Sequence, residues 1–162
     1  MILAQTLTAA AVLLASQTEP STVLSAECLF SEECTFAGTQ CKSSDQNLTL
    51  AVKGYRTRLM ETKSRKTIDY GFETHSTNAS MTFNGRFIQG AFAYEDTVLW
   101  YAHLSEKPIG FQAQNSNYEF WRLEILPDGQ ARMKESEGQE EKLKNMLNGH
   151  CEIRIPEQKG EA

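Results

Sequence analysis

From position 47 onward, apolar and polar residues alternate with a period of two, the mark of strands that bury one face. In NLTLAV, Leu48, Leu50 and Val52 share a face. Residues 55–62, YRTRLMET, continue as a second strand. KSRK at 63–66 then turns the chain into TIDYGFE, where Ile68, Tyr70 and Phe72 align. A loop at HSTNAS leads to MTF and Asn84-Gly85, the strongest short hairpin signal in the chain. The return strand, residues 86–94, sets Ile88, Gly90, Phe92 and Tyr94 on one side. Next, TVLWYAHL carries apolar residues on both faces, as expected of a strand buried from both sides. Beyond a loop at Lys107-Pro108, residues 117–126 alternate again, with Trp121, Leu123 and Ile125 in one row. Pro127-Asp128-Gly129 turns the chain into QARMK, Pro presetting its angle and Gly accepting positive φ. The charged stretch ESEGQEEKLKN reads as a loop with room for one helical turn, and a final strand passes through Cys151 to Ile155.

Eight or nine short strands, tight turns and no long amphipathic helix predict an all-β fold. The expected architecture is an antiparallel meander of about eight strands, closed into a small barrel or folded into a sandwich. At 162 residues the chain has room for one such domain. Its expected span is 26–155, with a disordered tail at 156–162. Residues 1–15, MILAQTLTAAAVLLA, are apolar and uncharged, and with the polar stretch that follows they read as a secretory signal peptide over 1–25. Cleavage after Ser25 fits the small-residue rule, with Val23 and Ser25 at the two positions, and cleavage after Ala15 or Ser16 is the alternative. The apolar run is shorter than the roughly 20 residues that span a bilayer, so no transmembrane segment is expected after signal removal.

Cysteine usage points the same way. Cys28, Cys34, Cys41 and Cys151 are an even set of thiols downstream of an export signal, as in a protein whose bridges persist in an oxidising compartment. Four cysteines pair in three ways, and sequence alone does not choose. Their settings favour Cys28 with Cys151, both in strand-like apolar stretches, and Cys34 with Cys41, which flank the loop residues TFAGTQ. The spacing does not match the C-x2-4-C pairs of structural zinc, so no metal site is assigned to the thiols. A Cys28–Cys151 bridge would pin the first strand to the last, which favours the barrel.

Charge narrows the partners. Sixteen Lys and Arg against 21 Asp and Glu give minus 5, a sign that argues against nucleic acid. Six of the sixteen cations, Lys53, Arg56, Arg58, Lys63, Arg65 and Lys66, lie on one predicted hairpin and its approach. They form a candidate anion patch against lipid headgroups or an acidic partner. The plainer reading is an ordinary solvated strand, with Arg56 and Arg58 opposite Leu59. Phe92, Trp100, Tyr101 and Trp121 fall on consecutive predicted strands and are candidate linings for a small apolar ligand, because an eight-stranded barrel can just hold one. A dry core would use the same side chains.

Catalytic signatures are missing from the sequence. It contains no Gly-x-Ser-x-Gly elbow, no phosphate loop and no C-x-x-C pair, and no cofactor is implied. His103 is the one histidine in an apolar setting, while His75 and His150 sit in polar contexts. A metal site of His103, His150 and Asp69 can be drawn on a rolled sheet, but no spacing supports it.

The order of features, a leader, the C-x5-C-x6-C run of Cys28, Cys34 and Cys41, an all-β middle and the closing Gly149-His150-Cys151-Glu152, resembles small exported proteins of Gram-negative bacteria that form uncharacterised families. That resemblance implies a periplasmic or secreted compartment and a bridged β fold, without an activity. The expectation is therefore a non-enzymatic exported binding module for a protein or envelope component. A ligand carrier within the barrel and an inhibitor of an envelope hydrolase are the alternatives.

Overall fold

The computed structural model describes residues 19–35, 39–74, 78–94 and 96–156. Most of the expected signal segment, His75 and the tail beyond Pro156 lie outside the described residues. Period-two rows become ten strands: β1 (Ser21–Thr35), β2 (Gln40–Glu61), β3 (Lys66–Glu73), β4 (Ala79–Phe83), β5 (Arg86–Ala93), β6 (Val98–Trp100), β7 (Ile109–Gln114), β8 (Glu119–Ile125), β9 (Gln130–Glu137) and β10 (Lys142–Arg154). All described pairings are antiparallel.

Eight of these strands close a barrel in the order β1-β10-β9-β8-β7-β5-β4-β2, and β2 pairs back onto β1. The ring is a meander from which two strands have been spliced out. β3 and β6 pair with each other and continue the sheet from the far half of β2, where Tyr55 to Glu61 face β3. Alternation put the core where the ring needs it. Phe92, Phe111, Leu123, Met133 and Leu147 are register partners in turn from β5 to β10, and all are buried. Burying a side chain of this size contributes about 1.5–3 kcal/mol.

Both bridges form between residues that face each other across a strand pair. Cys28 is joined to Cys151 in the β1–β10 seam, 123 residues apart in sequence, and Cys34 to Cys41 across the β1–β2 hairpin. A register shift between Phe30 and Glu32 separates Cys28 from Cys34. Cys28, Cys34 and Cys151 are buried, while Cys41 is exposed. Two bridges are consistent with an oxidising, exported environment.

Gly90 is needed where β5 meets β7. A Cβ there would stand 2.2 Å from the Gln112 carbonyl oxygen and 2.7 Å from Phe111. Ladder pairing of β5 with β7 covers only Ala91, Phe92 and Ala93, so the wall in front of residues 86–89 is held by side chains.

Several expectations change. TVLWYAHL is strand only over Val98–Trp100 and then coils into a 3-10 helix, Tyr101–Ser105, because β6 leaves the ring to pair with β3. Residues 47–52 and 55–61 belong to one strand, since Gly54 is extended and opposite Ser21, and Thr62 already lies in the turn. The charged 135–145 stretch is mostly strand around a turn at Gly138, with Lys144 linked to Glu137 at 3.4 Å and Glu135 half-buried opposite Trp121. Finally, β1 begins at Ser21, five residues before the expected domain start, and Val23 and Leu24 are fully buried.

Candidate functional site

Beyond Gly54, β2 leaves the ring and with β3 makes a hairpin finger. None of residues 55–70 is buried. At about 3.3 Å per residue the seven residues from Tyr55 to Glu61 project roughly 20 Å. The base is anchored. Phe72 and Leu99 pair across β3 and β6 and are buried, and the Phe72 ring packs 5.7 Å from Phe92 and 5.9 Å from Tyr101. Gly71 leaves room for Trp100, since a Cβ would come within 2.9 Å of its indole. An Arg56 guanidinium nitrogen donates to the Pro156 carbonyl at 3.0 Å, tying the finger's root to the segment just after β10.

The outer finger carries two kinds of side chain that seldom share an unburied ribbon. Between Lys53 and Glu73 there are six cations and three carboxylates, a net of plus 3, which leaves minus 8 for the rest of a chain totalling minus 5. The same hairpin exposes Tyr55, Leu59, Met60, Ile68 and Tyr70, five of the ten exposed large apolar side chains among the described residues. Cross-strand register sorts them. Tyr55, Leu59 and Asp69 share one face, and Arg56, Arg58, Met60 and Tyr70 share the other. A register shift between Leu59 and Met60 leaves Ile68 unpaired opposite them, and Ile68 is 57 % exposed. Period-two reading places Ile68 and Tyr70 with buried Phe72, and so misses the apolar half of this surface. The available signal was that neither face of 55–70 is free of charge.

Of the four candidate ligand-lining aromatics, Phe92 and Tyr101 meet at the Phe72 ring, and Trp100 and Trp121 lie apart from them. Phe92 and Trp121 are buried at separate places in the ring, Trp100 lies on β6 outside it, and the Tyr101 hydroxyl donates to the Val23 carbonyl at 2.8 Å. Burial pushes the Tyr101 phenol above its ordinary pKa. A hollow of about 320 Å3 opens beside Trp121, lined by Phe83, Ile88 and Phe120 and rimmed by Glu119, Glu135 and Glu137. A wider groove, about 710 Å3, lies on the outer face of β7 to β9, with Arg122, Arg132 and Lys134 along it.

Arg86 closes the unladdered wall. Its guanidinium carbon sits 5.2 Å from the Trp121 ring centroid and its Nη2 is 2.8 Å from Glu119 Oε2. Hydrogen bonds from Arg86 and then from Asn115 hold the Glu119 carboxyl below the usual carboxylate range. Such a depressed group contributes stability above its unfolded pKa, and the contribution is lost as pH falls through the folded value. Thermal melts from pH 6 to 2.5 should therefore show the wild type above E119Q at pH 6 by about 1–3 °C, the pair being solvent-screened. The two curves should converge in acid. Parallel curves would show that the clamp contributes nothing.

Catalytic and metal candidates are dispersed. His103 lies in the 3-10 helix, its carbonyl accepting from the Glu106 and Lys107 amides, and its buried Nδ1 has no hydrogen-bond partner among the described residues. His150 is exposed on β10 and covers Gly129, and Asp69 is on the finger. Among the described residues, the one group of three possible ligands is Glu32, Cys34 and Cys41, whose two sulfurs are already bonded to each other. No described helix is long and apolar enough to cross a membrane. Comparison of the chain with protein-family models, with curated proteins and with solved structures finds no match in any of the three.

Proposed function

We propose that this protein is a non-enzymatic binding module, exported to the periplasm or beyond, in which the stapled barrel is the scaffold and the finger docks an anionic envelope component. One observation carries the reading: the cations and the exposed apolar side chains coincide on a ribbon that projects from a filled ring. An isolated two-stranded ribbon is marginal in water, so a 16-residue stretch with no buried member is an element awaiting cover. Carrying an apolar ligand has less support, because three carboxylates rim the hollow beside Trp121 and would have to be desolvated.

Site-specific photocrosslinking tests it. A benzophenone side chain at Ile68 should give adducts with an envelope extract, while the same group at Glu124, outward on β8, should give few. K63E/R65E/K66E should remove the Ile68 adducts without lowering the melting temperature. Adducts equally abundant at both positions, or absent at Ile68, would end the proposal.

A further inference from the structure

Resting on the finger as the docking surface, we infer that its anionic occupant is the acidic outer face of β1 and β10 on a second copy of this chain. The order of side chains is the first argument. The charged turn is the outermost part of the finger, and along β2 Met60 stands between Arg58, on its own ribbon face, and the turn cation Lys63. Along β1, Leu29 stands between Glu27 and Glu32, and these three line one shallow groove with Glu152 and His150. Both series run charge, apolar, charge at positions i, i+2 and i+5, with opposite signs. Laid over each other in the same direction, the two strands bring Arg58 to Glu27, Met60 to Leu29 and Lys63 to Glu32.

The second argument is what each surface leaves uncompensated. Leu29 is 56 % exposed and Met60 41 %. Glu27 and Glu152 face each other across the β1–β10 ladder, an arrangement of like charges that costs stability. Arg154 bonds both, at 3.0 and 3.7 Å, so Glu27, Glu32 and Glu152 against this one cation still leave minus 2. A basic ribbon laid across the groove offsets that excess and covers Leu29. The packing is sheet face on sheet face, with strand directions within about 30° of each other. β2 runs antiparallel to β1 and passes Gly54 opposite Ser21, so a finger points away from its own residues 27–32 and the contact joins different copies. It is heterologous: each copy gives a finger to one neighbour and a groove to another, and the contact extends into chains. The minus 5 on each copy is screened beyond about 8 Å at physiological salt, so the local pairs decide.

Sedimentation equilibrium of the oxidised full chain, from micromolar to near-millimolar concentration, tests this, and the average mass should rise with concentration. R58E/K63E and E27K/E32K should each weaken association at least about tenfold, by turning two attractive pairs repulsive. The fourfold variant that carries both swaps has the wild-type net charge with the pairs reversed, and should recover the association. L29S/M60S keeps every charge and should lose about tenfold through lost apolar burial. Circular dichroism and melting verify the fold of each variant, since none of these six residues is buried. A benzophenone side chain at Met60 should give dimer-mass adducts that map to residues 27–32. A chain that stays monomeric at every concentration overturns the second-copy assignment. So does association that either charge swap or L29S/M60S leaves unchanged, that the fourfold variant fails to recover, or whose Met60 adducts map elsewhere. If the chain stays monomeric while Ile68 still crosslinks to another component of an envelope extract, that component is the occupant and the docking role stands. If those crosslinks fail as well, both readings fall.

Discussion

Replacing Cys28 and Cys151 together by alanine should lower the unfolding free energy by about 5 kcal/mol, and replacing Cys34 and Cys41 by only about 2.5. The difference follows from loop length. The first bridge joins residues 123 apart and the second residues 7 apart, and in the chain-entropy model unfolded-state freedom grows with the logarithm of the closed loop. Both pairs sit between directly opposed strand positions, so neither replacement removes a ladder. A loss of about 5 kcal/mol is comparable to the whole stability of many domains, and the long-bridge variant should be partly unfolded at 37 °C. Urea titrations of the two double variants against wild type provide the comparison. Equal losses, or a larger loss from the short bridge, would mean that strain or residual unfolded structure outweighs loop closure.

A chain beginning at Ala26 should lose at least about 4 kcal/mol relative to one beginning at Glu19. It lacks Val23 and Leu24, both fully buried, and truncating one buried leucine costs about 2–5 kcal/mol on its own. It also lacks the pairings of Ser21 with Gly54 and of Leu24 with Val52, where β1 closes onto β2. Tyr101 offers a second readout, since its hydroxyl loses the Val23 carbonyl it donates to. Burial raises this phenol above 10.0, so the neutral form stabilises the fold below that value and the contribution is lost as pH rises through the raised one. Absorbance at alkaline pH should show one tyrosine moving down toward its ordinary range in the shortened chain. If both chains melt alike, the first five residues of β1 are dispensable and cleavage after Ser25 is compatible with the ring. Cleavage after Ala15 or Ser16 leaves β1 whole.

Much of the ring was legible because its strands bury one face each. Leu48, Leu50 and Val52, and again Trp121, Leu123 and Ile125, are inward rows, and Asn84-Gly85 is the turn between β4 and β5. The bridge pairing followed from setting, as strand-borne Cys28 and Cys151 met strand to strand. The finger was half legible. Its cations could be counted, but Leu59 and Ile68 alternate as buried residues do, and alternation shows a two-faced strand without saying whether anything lies against either face. Trp100 and Tyr101 were misplaced for a related reason. A run that is apolar on both sides fits a central strand, and it also fits a short edge strand followed by a helical turn packed on Phe72. Pairing between distant segments decides between them, and no local pattern encodes it.

β2 and β4 are neighbours in the ring, with Val52 opposite Ala79 and the Lys53 amide bonded to the Asn78 carbonyl at 2.7 Å. The finger thus grows from what would otherwise be a tight reversal between adjacent staves. Because loop-closure cost rises slowly with length, an outgrowth here can be lengthened, shortened or recharged at little expense to the cask beneath it. The buried plug of Phe72 and Leu99 and the hydrogen bond from Arg56 to the Pro156 carbonyl tie the two together. Natural selection could therefore retarget the tip while leaving the staves and their rivets untouched, much as a tool head is changed on a fixed handle.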